Sequence, residues 1–193
     1  MPKQVDADQR RAELADAAAH VIARSGIDGA SLRSVAAEAG WTTGALVHYF
    51  ANKRELLAFT LQTSLERRRS RHADRSSLPA DEALRIALHE GLPTTDATRL
   101  HWTVTLAFAA QASADPELAV IQRDAYRHFR ASIAELVDTL GRHDDATEEA
   151  ERLIGVLDGI SIQAIFDPES WPPERQRRAL DAGMSAASPA TIV

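Results

Sequence analysis

Apolar residues recur every three or four positions along most of this chain, which is the spacing that predicts helices. Strand-like alternation is absent and β-branched runs are few, so the sequence predicts an all-α fold. Gly and Pro residues divide the pattern into segments. We expect helices over 8–25, 32–39, 43–49, 53–71, 80–91, 95–113, 116–140, 147–166 and 172–184.

The polar segment Asp74–Pro79 is the best candidate for a domain boundary, because it interrupts the helical pattern and contains a Pro. At 193 residues the chain is long enough for a small domain and a larger one. We therefore predict an N-terminal domain over 1–54, a connecting helix over 53–71 and a C-terminal helical domain over 76–185.

Residues 31–57 have the layout of a helix-turn-helix. A short helix capped by Ser31 is followed by a turn at Gly40 and a second short helix capped by Thr42. The residues spaced to face inward are Leu32, Val35, Leu46 and Phe50, and Trp41 is expected to fill the small core. Such a layout can place the second helix in the major groove of double-stranded DNA.

The residues left on the outer surface of the second helix are small or polar, so its backbone can approach base edges. Lys53 begins the next helix, where phosphate is favoured, and Arg33 lies on the preceding helix. Two alternatives stay open: Tyr49 covers the core, and His48 is simply solvated. The predicted DNA-binding residues are Arg33, Thr42, Thr43, Gly44, Ala45, Val47, His48, Tyr49 and Lys53.

The run AAEAGWTTGALVHYFANKRELL, from Ala36 to Leu57, resembles the signature of the TetR family of bacterial regulators. The resemblance implies that Arg33, Thr43, Ala45, Val47 and His48 reach bases. It also implies that Thr42, Tyr49 and Lys53 hold phosphates. The chain departs from the family pattern at Trp41, where a smaller apolar residue is usual, and at Val47, where an aromatic residue is usual. The second change suggests an altered operator preference.

Charge and composition are compatible with such a regulator, although the net charge of −6 is unusual for a DNA-binding protein. Residues 1–75 contain twelve basic and nine acidic residues, whereas residues 76–193 contain ten and nineteen. The basic run at 67–71 is either a solvated helix face or an added source of phosphate attraction. There are no cysteines, no secretory signal pattern and no span long enough for a bilayer, so we expect a cytoplasmic bacterial protein, nucleoid-associated when bound to DNA.

The helices at 116–140 and 147–166 both carry many apolar residues, and the second is apolar around much of its circumference, which implies burial on two sides. Gly155 and Gly159, four residues apart, permit close approach of another helix. Two such helices from each protomer would form a two-fold, four-helix interface in a homodimer, which predicts a palindromic operator. The predicted interface residues are Ile121, Ala125, Phe129, Leu153, Gly155, Val156, Gly159 and Ile160.

A DNA-binding domain of this kind needs only about 55 residues, so the acidic residues 76–193 are expected to have another role. We expect a small-molecule binding site there. The faces of aromatic rings in it would favour a cation, and the acidic balance of residues 76–193 favours a cationic or neutral effector over an anionic one. The alternative for each aromatic residue is plain core, whereas an amide on an apolar face must find a partner. The candidate pocket residues are His89, His101, Trp102, Thr105, Phe108, Gln111, Gln163, Phe166 and Trp171.

The stretch from Leu100–Trp102 through Asp115–Leu118 to Asp167–Pro168 resembles the C-terminal domain of the BetI-like branch of the family, which implies ligand binding and dimerisation. We therefore expect a homodimeric repressor released by an effector of unknown identity, needing no metal or cofactor. A ligand-independent DNA-binding scaffold acting through protein partners is the alternative. An enzyme is disfavoured, since the His143-Asp144-Asp145 cluster lies in a polar turn and no catalytic motif is present.

Overall fold

The computed structural model describes residues 2–71, 77–141 and 145–185. In these ranges it contains nine helices and no strand, which confirms the predicted all-α fold. The helices are α1 Pro2–Gly29, α2 Leu32–Glu38, α3 Thr43–Leu46, α4 Lys53–Arg71, α5 Ala80–His89, α6 Asp96–Ala112, α7 Pro116–Leu140, α8 Ala146–Phe166 and α9 Pro173–Ser185.

Two helices differ from their predicted bounds by more than two residues. Helix α1 begins earlier than expected. It is broken at Gly26, which has a φ of 70° and directly follows the predicted range 8–25. Helix α3 is shorter than the predicted 43–49, because the chain tightens after Leu46. The amides of His48 and Tyr49 bond to carbonyls three residues back, at 3.3 and 2.9 Å, so the helical path continues only as turns.

Local capping fixes the geometry of the α2–α3 turn. The Ser31 hydroxyl accepts from the Ser34 amide at 3.0 Å, and the Ser34 hydroxyl accepts from the Ser31 amide at 2.8 Å. At the other end Gly40, with φ of 70°, terminates α2, and the Trp41 amide donates to Ala36 O at 2.8 Å. Thr42 then caps α3 by accepting from the Ala45 amide at 3.1 Å.

The chain forms two compact units, which are not continuous in sequence. Unit 1 comprises Met1–Arg67 and Thr103–Arg123, and unit 2 comprises Arg68–Trp102 and Asp124–Val193. Residues 74–76 of the predicted domain boundary at 74–79 lie outside the described residues, and the boundary stays a prediction. The fully buried apolar side chains of unit 1 include Leu14, Val35, Leu46, Phe50, Leu56, Leu61, Val104 and Phe108.

The core of unit 2 is formed by α5, α7, α8 and α9. Leu88, Ile133, Val137, Leu157 and Leu180 are completely buried in it. Close packing of α9 on α8 depends on Gly183, where an added Cβ would lie 2.7 Å from Val156 Cγ1. Among the described residues, no helix is both long and apolar enough to cross a membrane.

Candidate nucleic-acid interface

Helix α3 presents one buried face and one exposed face. Leu46 is completely buried, as is Phe50 just after the helix. Thr43, Gly44 and His48 are exposed, and Val47 is 46% exposed although it is apolar. An exposed, small-residue surface on a capped helix is the arrangement that a groove-reading element requires.

Trp41 does not fill the core as predicted. It is only partly buried, and its ring meets the ring of Tyr49 edge-on with centroids 5.6 Å apart. The guanidinium of Arg10 lies 5.6 Å from the Trp41 ring. The side chains that α2 and α3 bury are Val35, Ala36 and Leu46. Trp41 therefore supports Tyr49 from the side, and Tyr49 remains partly exposed.

Lys53 and Arg54, the first two residues of α4, are both cationic but have different partners. Lys53 is the first residue of the helix and donates to the carbonyl oxygen of Asp28 at 3.2 Å, a neutral partner. Arg54 is held by Asp115 at 2.8 Å and by Glu117 at 3.1 Å. Since two carboxylates already neutralise Arg54, Lys53 is the better phosphate ligand of the pair. The side-chain oxygen of Asn52 caps the helix by accepting from the Glu55 amide at 2.9 Å.

The arginine run at the other end of α4 has structural partners. Arg67 forms an ion pair with Asp16 of α1. The guanidinium of Arg68 lies 3.9 Å from the centre of the Phe129 ring. Arg68 is partly buried, whereas Arg69 at the next position is exposed. These contacts favour a structural role for Arg67 and Arg68 over the phosphate attraction that the sequence left open.

Comparison with known families and structures agrees with the geometry of α2 and α3. Residues 14–58 match the family described as "Bacterial regulatory proteins, tetR family". Residues 80–187 match the family described as "BetI-type transcriptional repressor, C-terminal". The chain belongs to the TetR family. It is a DNA-binding transcriptional regulator rather than an enzyme, and the predicted family resemblance is confirmed.

Similar proteins cover nearly the whole chain. The HTH-type transcriptional regulator PksA of Bacillus subtilis is 37% identical, over 93% of this chain and 90% of its own. The regulator BetI of Burkholderia mallei is 32% identical, with 88% of each chain covered. Among solved structures, a transcriptional regulator from Rhodococcus sp. Rha1 is 33% identical with a TM-score of 0.83, covering 90% of this chain and 93% of that one. A regulator from Saccharomonospora viridis in complex with choline shares the fold, with a TM-score of 0.86 at 24% identity and coverage of 93% and 97%.

The predicted pocket residues are divided between the two units. Thr105, Phe108 and Gln111 belong to unit 1, and the other six belong to unit 2. Trp102 is buried and its Nε1 donates to Gly91 O at 2.7 Å, so its indole is a satisfied part of the core. His89 borders a cleft of about 430 Å³ with Ile86, Thr94, Thr98 and Arg177, and its Nε2 lies 2.7 Å from Asp181 Oδ1.

The two amides that the sequence favoured as ligand contacts are exposed. Gln111 and Gln163 both face solvent, as does Phe166, which is 75% exposed. Their exposure argues against a place in an enclosed pocket. The buried polar groups are elsewhere: the Thr105 hydroxyl and both amide atoms of Gln122 are buried without a hydrogen-bond partner among the described residues. Thr105 was predicted, whereas Gln122 was missed because its side of α7 cannot be fixed from spacing alone.

The predicted dimer residues divide between core and surface. Leu153 and Ile160 are buried in the core of unit 2, so they have little surface left to offer a partner. Val156 packs against Gly183, and Phe129 lies under Arg68. Ile121 and Ala125 are partly exposed. Around Gly155 and Gly159 there is open space, since an added Cβ at either would meet nothing within 4 Å.

A contiguous surface runs along α8 at helical spacing. It consists of Gly155, Gly159, Ile162 and Phe166, which we call the α8 stripe. Phe166 and Gly155 are exposed, and the other two are partly exposed. The stripe ends in the most exposed large apolar side chain of the described residues. A helix face of this composition is suited to packing against another helix.

The described residues contain no cluster of three or more His, Cys, Asp or Glu residues placed to hold a metal ion. Of the acidic turn considered in the sequence, His143 and Asp144 lie outside the described residues. Asp145 is the N-cap of α8 and accepts from the amides of Thr147 and Glu148 at 2.8 and 3.0 Å.

One cluster of unit 2 was not predicted at all. The Tyr126 hydroxyl of α7 donates to the Asp158 carboxylate of α8 at 2.9 Å, and Arg68 and Phe129 lie beside them. Burial raises the pKa of Asp158, while the Tyr126 hydrogen bond and the charge of Arg68 oppose that rise. Burial and the carboxylate of Asp158 raise the pKa of Tyr126, so its hydroxyl stays protonated. No sequence motif signals this cluster, because its members come from three distant helices.

Proposed function

We propose that this regulator is a homodimeric repressor that binds an inverted-repeat operator and is released by a small-molecule effector. The observation that carries the proposal is the division of the α3 region into a buried face and an exposed, small-residue face. Membership of the TetR family supports the DNA-binding part directly. The match of residues 80–187 to BetI-type repressors supports repression.

In the proposed complex, the exposed face of α3 reads bases. Thr43 offers a hydroxyl to a base or phosphate, and Val47 offers apolar contact to a thymine methyl. Lys53 gives up its bond to the Asp28 carbonyl for a phosphate, which is a stronger partner for an ammonium group. Thr42 and Tyr49 lie at the two ends of the same surface, where the DNA backbone passes.

The α8 stripe is the proposed centre of the dimer interface. Two glycines with open space beside them let a partner helix approach closely, and Phe166 would be covered by the same contact. A two-fold interface uses the same surface on both protomers, so each stripe would meet its own copy. The two α3 helices of such a dimer are held at a fixed separation, so the operator must be symmetric.

Effector binding is supported by polar groups that the fold buries without partners. A buried hydroxyl or amide left unpaired costs free energy, and a ligand is one way to satisfy it. Thr105 of α6 and Gln122 of α7 are groups of this kind in unit 1. The choline bound by the Saccharomonospora viridis regulator shows that this fold can hold a small organic cation in another protein.

The test compares two variants on two DNA duplexes. A preferred duplex is first enriched from a random pool, and affinity is then measured by fluorescence anisotropy on it and on random duplex. Lys53→Ala is expected to weaken binding equally on both, and to lower the salt dependence by about one phosphate contact per protomer. Thr43→Ala is expected to cost more on the preferred duplex. Arg85→Ala, at an exposed position of α5, is the control.

Equal losses for Lys53→Ala and Thr43→Ala on both duplexes would contradict the roles assigned to the two side chains. The alternative function, a ligand-independent DNA-binding scaffold, predicts the same results on DNA. A different measurement therefore distinguishes it from an effector-released repressor. The scaffold predicts that no small molecule both raises the melting temperature and weakens binding to the preferred duplex.

A further inference from the structure

The turn before α3 carries a tryptophan that contacts both the first helix and the end of the α3 region. The Trp41 ring meets the Tyr49 ring edge-on, with the centroids 5.6 Å apart and the ring planes at 70°. The Cζ of Arg10, on α1, lies 5.6 Å from the centre of the Trp41 ring, which is within the range of a cation–π contact. We call Arg10, Trp41 and Tyr49, which all belong to unit 1, the Trp41 stack.

The Trp41 stack lies at the surface of unit 1. Arg10 is exposed, and the rings of Trp41 and Tyr49 are both partly exposed. The core of the same region contains other side chains, among them Leu46 and Phe50, which are completely buried. Hydrophobic stabilisation scales with the apolar area removed from water, so a partly exposed indole gains less of it than a buried one. Core packing alone therefore does not account for Trp41.

The Trp41 stack joins the two ends of the exposed face of α3. Trp41 directly precedes Thr42, the N-cap of α3. Tyr49 lies beyond the last residue of α3, and its amide donates to Leu46 O at 2.9 Å. In the proposed complex the DNA backbone passes both of these ends. The contact between the two rings thus sets where the Tyr49 side chain lies relative to the start of α3, and Trp41 holds the Arg10 guanidinium beside it.

Two members of the Trp41 stack can bond to phosphate. A tyrosine hydroxyl donates one hydrogen bond, and a guanidinium that stacks on a ring keeps N–H donors at its edge for a phosphate. Both side chains are rotatable when nothing contacts them, and a ligand that fixes them costs side-chain entropy. The ring contact restricts Tyr49 and the cation–π contact restricts Arg10 before DNA binds, so less of this entropy remains to be lost.

We propose that Trp41 is a positioning residue for DNA binding, which orients Tyr49 and Arg10 as a pair of phosphate ligands. The proposal rests on the proposed function and deepens it, since it adds Arg10 to the DNA contacts and gives Trp41 the role of holding both partners. Phosphate contacts carry no base information, so the effect of Trp41 is the same on every duplex sequence.

A mutant cycle tests whether Trp41 acts through its two neighbours. Affinity is measured by fluorescence anisotropy on the preferred duplex and on random duplex. We expect Trp41→Val to weaken binding roughly fivefold per bound protomer, the size of one aromatic pair, and equally on both duplexes. In a double variant of Arg10→Ala with Tyr49→Phe, the same Trp41→Val change should cost less than about twofold, because both groups that it positions are already lost. Trp41→Phe keeps a ring and should stay within about twofold of the unchanged protein.

Two single variants test the phosphate contacts with Trp41 in place. Arg10→Ala is expected to weaken binding equally on both duplexes and to lower the salt dependence by about one phosphate contact per protomer. Tyr49→Phe removes a neutral hydroxyl, so it should weaken binding on both duplexes with the salt dependence unchanged. Arg85→Ala removes the same charge from an exposed position of α5, in unit 2, and should leave affinity and salt dependence unchanged.

The melting temperature of each variant, measured without DNA, separates positioning from folding. A purely structural role of Trp41 predicts that Trp41→Val costs the same affinity in the double variant as in the unchanged protein, and this result overturns the proposal. A loss confined to the preferred duplex would mean that Trp41 reads bases, and it overturns the proposal as well. If Trp41→Val does not fold, the single variants decide: unchanged affinity in Tyr49→Phe, or unchanged salt dependence in Arg10→Ala, overturns the proposal.

These outcomes are distinct from failure of the proposed function. A protein that prefers one duplex but shows none of the expected effects at Arg10, Trp41 and Tyr49 remains a candidate repressor without this positioning residue. Absence of any DNA binding by the unchanged protein overturns both proposals.

Discussion

Gly155→Ala tests the α8 stripe because it should change stability and dimerisation in opposite directions. A Cβ at this position meets nothing within 4 Å in the single chain, so the added methyl causes no clash within the protomer. Ala is favoured over Gly in a helix interior by about 1 kcal/mol. The free energy of unfolding of the isolated protomer should therefore rise by about that amount.

The same methyl should oppose dimerisation if a second α8 packs on the stripe. Overpacking of a close contact costs about 1–3 kcal/mol, and two-fold symmetry places the methyl in the interface twice, so the dimer loses about 2–6 kcal/mol. At the lower end this raises the dimer dissociation constant about 30-fold. Gly159→Ala should have the same effect, since it has the same open surroundings.

Sedimentation equilibrium measures the dissociation constant, and urea unfolding at two protein concentrations separates protomer stability from dimer stability. Arg85→Ala on the exposed side of α5 is the matched control and should leave both quantities unchanged. If Gly155→Ala gains stability but dimerises with unchanged affinity, the stripe is not the interface and the reasoning is refuted.

Three further substitutions have expected outcomes. Gly183→Ala places a Cβ 2.7 Å from Val156 Cγ1, so it should lower the free energy of unfolding by about 1–3 kcal/mol. Urea denaturation measures this loss, and unchanged stability of the variant would contradict the prediction. Thr42→Ala removes the cap of α3 and should cost about 1 kcal/mol, whereas Thr42→Ser should keep it. Because burial raises the pKa of Asp158 above its ordinary 3.8, the folded state binds more protons than the unfolded state as pH rises from 3.8. The free energy of unfolding of the unchanged protein, relative to that of Asp158→Asn, should therefore be greatest at acid pH and should fall as pH rises through the raised pKa. Urea unfolding at several pH values measures this difference. A difference that grows with pH would contradict a raised pKa of Asp158 in the folded state.

The parts of the fold that sequence predicted correctly depend on local interactions. Ser31, Gly40 and Thr42 act through partners within four residues, so their residue types alone indicate the turn between α2 and α3. The arginine run could not be interpreted in this way. Arg67 and Arg68 are adjacent in sequence but contact α1 and α7 respectively, and only the fold decides those partners.

The exposure of the two glutamines favoured as ligand contacts could not be predicted for a related reason. Gln111 and Gln163 were favoured because an amide within an apolar segment needs a partner, but both face solvent. Gln122, on α7, has both amide atoms buried. A rotation of about 100° per residue separates the two outcomes, and hydrophobic spacing does not fix a helix face that closely. Tyr126 and Asp158 are 32 residues apart, so no local pattern could have paired them.

The spacing of the DNA half-sites tests the central claim most directly. Selection of duplexes from a random pool by the purified protein should enrich an inverted repeat whose half-site centres lie about one helical turn, or a multiple of it, apart. That result is required if two copies of the exposed α3 face enter major grooves on one side of the duplex. Enrichment of a single unpaired half-site, or no enrichment over random sequence, would contradict the account.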